Sequence, residues 1–285
     1  MTDLLQLDPR IFADRFGREP FLVEHTLSDH PLLELESIAQ LADFLPADLV
    51  EHNLGDQPEV LSDRGASLER VEQSPGEVAR GIETNGSWMV LKEIERDPKY
   101  AELLNASLDE VQRYVADLEG PMVRRMGFIF LSAPGSVTPV HIDTEHNLLL
   151  QIKGTKQMSV GRYEDSAVYE RELERLYAGG ATRYLDQDPD TMEAFDLVPG
   201  TGICVPHSAP HRVKNGDVVS ISLSITFQTP RSERIGDVYA INTRLRALRL
   251  SPRPPNGDGV RDRIKSAAYR TARAPARAAR ALRRG

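Results

Sequence analysis

Apolar residues change their spacing part-way along the chain. Up to about residue 120 they recur at helical intervals. Asp8-Pro9 reads as a helix start with Ile11, Phe12 and Phe16 on one face, and Ile38, Leu41 and Phe44 carry a second helix over residues 37–44. Asp97-Pro98 opens a longer helix, in which Leu103, Leu104, Leu108, Val111, Val115 and Leu118 keep the spacing until Gly120-Pro121 ends it. Residues 21–23 and 88–91 read as short buried strands, and 56–76 as a polar, turn-rich surface loop. From Val123 to Thr229 the pattern becomes that of strands, predicted at 126–131, 140–143, 147–152, 157–160, 202–205 and 218–227. In the last of these Val219, Ile221, Leu223 and Ile225 alternate with Ser220, Ser222, Ser224 and Thr226, the period of two expected of a strand. Gly154 marks a tight turn between two strands. Many short strands punctuated by Gly and Pro predict a barrel or sandwich. Residues of about 163–195 are polar and charged, with one helix near 168–176, and read as an insertion between barrel strands. Beyond the barrel, 241–250 reads as a helix and 251–259 as a linker. The Ala- and Arg-rich 261–284 reads as helical with a break or kink at Pro275.

Composition sharpens this picture in three ways. At 285 residues and 40% hydrophobic, the chain can bury one large core with a helical layer beside it. The net charge of −8 excludes nucleic-acid binding by the molecule as a whole on bulk electrostatics, but the charge is uneven. From Arg244 onward there are 13 Lys and Arg against 2 Asp and Glu, a net of +11 that leaves −19 on the first 243 residues. The basic tail is therefore a candidate contact for an anionic partner. The single cysteine, Cys204, excludes an internal disulfide framework and a cysteine-based zinc site. The first residues lack the apolar run of a signal peptide, and no stretch approaches the roughly 18 apolar residues of a membrane span, so a cytoplasmic protein is expected.

The chemistry-bearing residues lie in the strand-rich part. In His141-Ile142-Asp143 an imidazole and a carboxylate sit two apart, and on a strand such residues share a face. Both can then reach one metal ion. A further ligand candidate, His211, follows 70 residues later in VPHSAPH. Two histidines and one carboxylate on one face leave three octahedral positions open, two for an α-keto acid and one for O2. His146 and His207 compete as ligands, but His146 is odd-spaced from His141 and should face away. A dicarboxylate cosubstrate also needs a cation. Lys156, just past the Gly154 turn, is placed to supply it, with Thr138, Asn147 and Thr226 as nearby hydrogen-bonding candidates. Trp88 reads as core with a substrate platform as its alternative, and Cys204 as a small core residue.

The run TPVHIDTEHNLLLQIKGTK, Thr138 to Lys156, resembles the JmjC (cupin-like) 2-oxoglutarate oxygenases, and among them the asparaginyl hydroxylases that act on hypoxia-inducible factor. The shared order is Thr-Pro-x-His-x-Asp, an Asn four residues after the Asp, then Gln-Ile-Lys-Gly-x-Lys. Pro199-Gly200, Val205-Pro206 and His211 repeat the spacing of the family's distal histidine. The resemblance covers about 127–228. It implies a mainly β fold with helical flanks, built on a double-stranded β-helix (jelly-roll, cupin) core. It also implies Fe(II) held by His141, Asp143 and His211, and 2-oxoglutarate held by Lys156 with Thr138 and Asn147. Two positions depart from the family: Ala209-Pro210 stands where aromatics often precede the distal histidine, and Thr226 stands where the hydroxylase has an active-site Asn. The domain division expected is an N-terminal α/β flank (1–120), a catalytic core (121–230) and a helical basic tail (231–285) whose helices could pair two copies. The expected activity is hydroxylation of a protein side chain or small molecule, with succinate and CO2 as coproducts. A silent cupin-fold binding protein and a demethylase are the alternatives.

Overall fold

Asp8 and Pro9 open the first helix for the reasons the sequence suggests. The Asp8 carboxylate accepts hydrogen bonds from the Arg10 and Ile11 amides, and Pro9 stands where no N–H is required. The computed structural model describes residues 3–54, 73–179 and 185–281, so most of the loop read at 56–76 lies outside the described residues. The N-terminal part runs β1 (Leu5–Gln6), α1 (Pro9–Arg15), β2 (Phe21–His25), α2 (Leu35–Phe44), β3 (Val50–Leu54), α3 (Pro75–Arg80), β4 (Ser87–Lys92) and α4 (Pro98–Glu119). It is followed by β5 (Val123–Ser132), β6 (Val137–Ile142), β7 (His146–Lys153), β8 (Lys156–Arg162), α5 (Ser166–Tyr177), β9 (Thr191–Leu197), β10 (Thr201–Val205), β11 (Pro210–Asn215) and β12 (Ser220–Gln228). Two helices close the chain, α6 (Pro230–Ala247) and α7 (Val260–Ala281).

Among the described residues the strands form two antiparallel sheets, of order β1-β2-β10-β7-β12-β5-β4-β3 and β6-β11-β8-β9. The eight strands β5 to β12 give four to each sheet and make the double-stranded β-helix. β1 and β2 extend the larger sheet at one edge, β4 and β3 at the other. The outer face of that sheet packs on the N-terminal helices: Phe12, Ile38, Leu104 and Leu108 meet Leu148, Leu223 and Ile225 with none of them more than 1% exposed. Truncating any one of the leucines to Ala would cost about 2–5 kcal/mol. The alternation along β12 sends Ile221, Leu223, Ile225 and Phe227 into this core. Ser222 and Ser224 turn the other way, and their hydroxyls donate to Gln151 Oε1 (2.7 Å) and Asn147 Oδ1 (2.8 Å). Between the sheets a smaller cluster of Leu149, Met158, Val160, Ile203, Val205 and Val213 fills part of the space. The remainder is a cavity.

Four elements differ from the sequence reading. β9 begins inside the range read as an insertion, and from Thr191 the chain is already the outer strand of the smaller sheet. Six of its seven side chains are exposed or half-buried, so apolar alternation is faint. β11 extends beyond His211, where only a strand end was read. α6 begins at Pro230, eleven residues before the reading, behind a capping box of Thr229 and Ser232. Its buried residues include Ser232, Gly236 and Asn242, which hydrophobic spacing cannot reveal. Helix α7 continues through Pro275. Part of the basic tail is spent on the chain's own carboxylates, with Arg270 on Asp237 and Glu233. No helix among the described residues is long and apolar enough to cross a membrane.

The turn from β7 to β8 needs its glycine. Gly154 has φ +69°, and a Cβ there would stand 2.3 Å from the Val219 carbonyl oxygen. Gly154→Ala is therefore expected to cost at least about 2 kcal/mol, measured as a lower urea midpoint at unchanged slope.

Candidate active site

His141 on β6 and His211 on β11 are direct cross-strand partners, which is why residues 70 apart in sequence can share a ligand. Their ring centroids are 4.2 Å apart. Asp143 follows the last residue of β6. Its Oδ2 lies 3.7 Å from His141 Nε2 and 3.5 Å from His211 Nε2. One ligand atom from each of the three residues lies within 4.8 Å of the other two. Each imidazole is oriented by its own strand. His141 Nδ1–H donates to the Pro139 carbonyl at 2.8 Å and His211 Nδ1–H to the Ala209 carbonyl at 3.0 Å. A carbonyl only accepts, so each Nδ1 carries a proton, and both Nε2 atoms are turned toward Asp143. This is how metal-binding histidines are commonly held. Burial, with His211 adding to it, pushes the His141 pKa down, which keeps the imidazole neutral as a ligand must be. Burial raises the Asp143 carboxyl, but the facing imidazoles outweigh it and hold the group well below the usual carboxylate range. Two imidazole nitrogens and one carboxylate converging on a point make a donor set that fits Fe(II).

The same cavity, of about 380 Å³, is lined by Lys156, Thr138 and Asn147. Lys156 is the first residue of β8 and is 5% exposed. Among the described residues its ammonium has no ion pair or hydrogen bond, and burial pushes its pKa down to about 7. The Asn147 Oδ1 is taken by the Ser224 hydroxyl, so its NH2 group is the part left to donate. Thr226 is not brought to this wall. Its hydroxyl donates to the Met126 carbonyl across β5 and β12 at 3.0 Å. The opposite wall comes from β4 and β5: Trp88, Val90, Phe128 and Phe130, with Trp88 tilted against Phe130 at 6.4 Å between centroids. At the rim Lys92 pairs with Glu51 of β3. Sequence reasoning placed Trp88 in the core and passed over Phe128, Phe130, Lys92, Glu51 and Asn215. Alternation along β4 separates Trp88, Val90 and Lys92 from Met89 and Leu91, but does not say which face meets a cavity.

The rival histidines lie elsewhere. His146 lies against the rings of Phe16 (4.9 Å) and Phe227 (5.1 Å), and its Nε2–H donates to Glu119 Oε2 at 3.1 Å. Glu119 also accepts from the Thr229 hydroxyl (2.7 Å) and pairs with Arg231 (3.2 Å). Burial raises this carboxyl, but His146, Thr229 and Arg231 outweigh it and bring it to about 2. His207 shares a hydrogen bond with the Tyr177 hydroxyl, and burial drives its pKa to about 3.

The fold and the triad define a class: double-stranded β-helix proteins with a two-histidine, one-carboxylate metal site. No protein-family model matches the chain, and no curated protein does. Solved structures of the Escherichia coli ribosomal oxygenase YcfD do match. One is similar at 17% identity with a TM-score of 0.50, over 95% of this chain and 68% of that one. Another, in complex with cobalt and 2-oxoglutarate, matches at 16% identity and TM-score 0.50, over 94% and 67%. An X-ray structure of the same protein gives TM-score 0.52 at 16% identity, over 95% and 69%. At such identity the likeness is one of fold.

Proposed function

We propose that the chain is an Fe(II)- and 2-oxoglutarate-dependent oxygenase that hydroxylates a protein side chain or a small molecule. One observation carries this reading: the His141, Asp143 and His211 donors converge in the same cavity as a buried ammonium that has no partner among the described residues. Iron bound by the three ligands, together with 2-oxoglutarate and O2, supplies an oxidant for an unactivated C–H bond and releases succinate and CO2. The chain's own residues do the rest. Lys156 takes the far carboxylate of the cosubstrate as a point charge, with Thr138 and the Asn147 NH2 beside it. Thr226 is given no part, because its hydroxyl is already engaged. The aromatic wall of Trp88, Phe128 and Phe130 excludes water and receives the group to be oxidised. The solved neighbours support the reaction class, since they are ribosomal oxygenases and one holds 2-oxoglutarate with cobalt, and they favour a protein substrate.

The test is direct. Purified protein mixed without O2 with Fe(II) and 2-oxoglutarate is expected to show a weak visible charge-transfer band, and to form succinate once O2 is admitted. His141→Ala should show neither. Absence of the band in the wild type sinks the reading. A band without succinate would leave a cupin-fold binding protein.

A further inference from the structure

Two buried groups of opposite hydrogen-bonding need line the cavity from directly paired positions on neighbouring strands. We propose that Asn215 is a positioning residue for Lys156, its Oδ1 being the acceptor on which the charged ammonium seats while it holds a carboxylate. The proposal rests on the cosubstrate role given above to Lys156.

Asn215 is the last residue of β11 and the direct cross-strand partner of Lys156. Such partners hold their Cβ atoms roughly 4.5–5.5 Å apart. Both are buried, at 4% and 5% exposure, and both line the cavity. The Asn215 amide cannot turn over. Its Nδ2 donates to the Ser136 carbonyl (2.9 Å) and to Ser136 Oγ (3.0 Å), and that hydroxyl's own proton goes to the Ala133 carbonyl (2.9 Å). A flipped amide would set its oxygen against the Ser136 carbonyl oxygen. The direction of Oδ1 is therefore fixed, and this buried oxygen receives no hydrogen bond. The cross-strand partner, Lys156, offers three N–H donors and has no acceptor among the described residues. A bound carboxylate uses one or two of those donors, and a third requires an acceptor in the wall.

The chemistry also explains why that acceptor is a carboxamide. A carboxylate at residue 215 would neutralise Lys156 in advance and compete with the cosubstrate for it. The neutral amide orients the ammonium and leaves its charge for the incoming anion.

The test compares Asn215→Leu, Asn215→Asp and Ser136→Ala with the wild type. Ser136→Ala loosens the same turn without touching Oδ1. Lys156 is titrated by NMR of its labelled side-chain carbon in protein free of metal and 2-oxoglutarate, with Lys156→Met for assignment. Asn215→Leu should move the Lys156 midpoint down by at least about half a pH unit and Asn215→Asp should move it up by at least about one. In turnover Asn215→Leu should raise KM for 2-oxoglutarate about tenfold with kcat within about twofold, while Ser136→Ala changes KM by less than about twofold. Should Asn215→Leu fail to fold, a crystal structure of the wild type with Co(II) and 2-oxoglutarate decides: Nζ about 3 Å from Asn215 Oδ1 supports the proposal. An Nζ turned away from Oδ1 overturns it, as does a Lys156 midpoint that moves in neither variant. Equal losses of KM and kcat in Asn215→Leu and Ser136→Ala would mark a purely structural asparagine. If the wild type binds no 2-oxoglutarate, the proposed function falls and takes this inference with it. If it binds normally and Asn215→Leu matches the wild type, the inference alone falls.

Discussion

Lys156→Met is expected to stabilise the ligand-free protein while destroying its affinity for 2-oxoglutarate. The two side chains are similar in length, so little packing is lost. The difference is charge. A lysine of ordinary pKa 10.5 in the unfolded chain meets a site that lowers it to about 7. The folded state therefore binds fewer protons than the unfolded state between those values, and stability falls as pH drops through the window. At pH 7 the penalty comes to about 4 kcal/mol, and methionine removes it. The gap between variant and wild type should be widest at or below pH 7 and close as pH rises toward 10.5. Urea denaturation at pH 7 and pH 10 measures both ends. Equal stability at pH 7 would mean that the ammonium is solvated. In the wild type the same shift ties cosubstrate binding to a proton. Above pH 7 the lysine must be protonated as the dicarboxylate binds, so affinity should weaken about tenfold per pH unit. Calorimetry in buffers of different ionisation enthalpy reads that proton directly. Lys156→Met should show no binding within about a hundredfold of the wild-type constant.

The second large effect is expected at Asp143, the carboxylate that faces both imidazoles at 3.7 and 3.5 Å. Without it only two imidazole nitrogens remain, too few for a facial site and without the negative charge that offsets the cation's desolvation. Wild-type protein with Co(II) at a hundred times its dissociation constant should gain about 2.7 kcal/mol in stability, and lose it on adding a chelator. Asp143→Ala should gain nothing at the same concentration and lose at least about 10³-fold in succinate formation. Thermal unfolding with and without Co(II) separates the two proteins. Equal stabilisation would remove Asp143 from the ligand set.

Much of this site was legible because its parts lie on regular strands. His141 and Asp143 are separated by one residue, and period two forces them together. Lys156 follows a turn that only glycine fits, so its strand and position could be read from the chain. What could not be read depends on which strands meet across the barrel. The spacing from Pro206 points to His211 as a ligand, but its place opposite His141, and that of Asn215 opposite Lys156, are facts of register in β11, of which the sequence shows only a strand end. The aromatic wall was missed for a related reason. β4 is apolar on both faces, one against helices and one against the cavity, and hydrophobicity does not tell a dry core from a substrate pocket. Thr226 is the converse case. Its face along β12 was assigned correctly, but a backbone carbonyl one strand away had first claim on its hydroxyl.

Glu119 has a consequence for how the molecule comes apart. It stands at the end of α4, and through His146, Thr229 and Arg231 it holds the first residue of β7 and the opening turn of α6. Asn147, next along β7, is a wall of the cavity. Loosening either helix strands an ionised carboxylate in the interior, so α6 and the start of β7 should open as one cooperative unit rather than fray separately. Helix α6 is, in that sense, a keystone of the barrel, and the integrity of the cavity wall at β7 is set some 80 residues downstream of the strand that forms it.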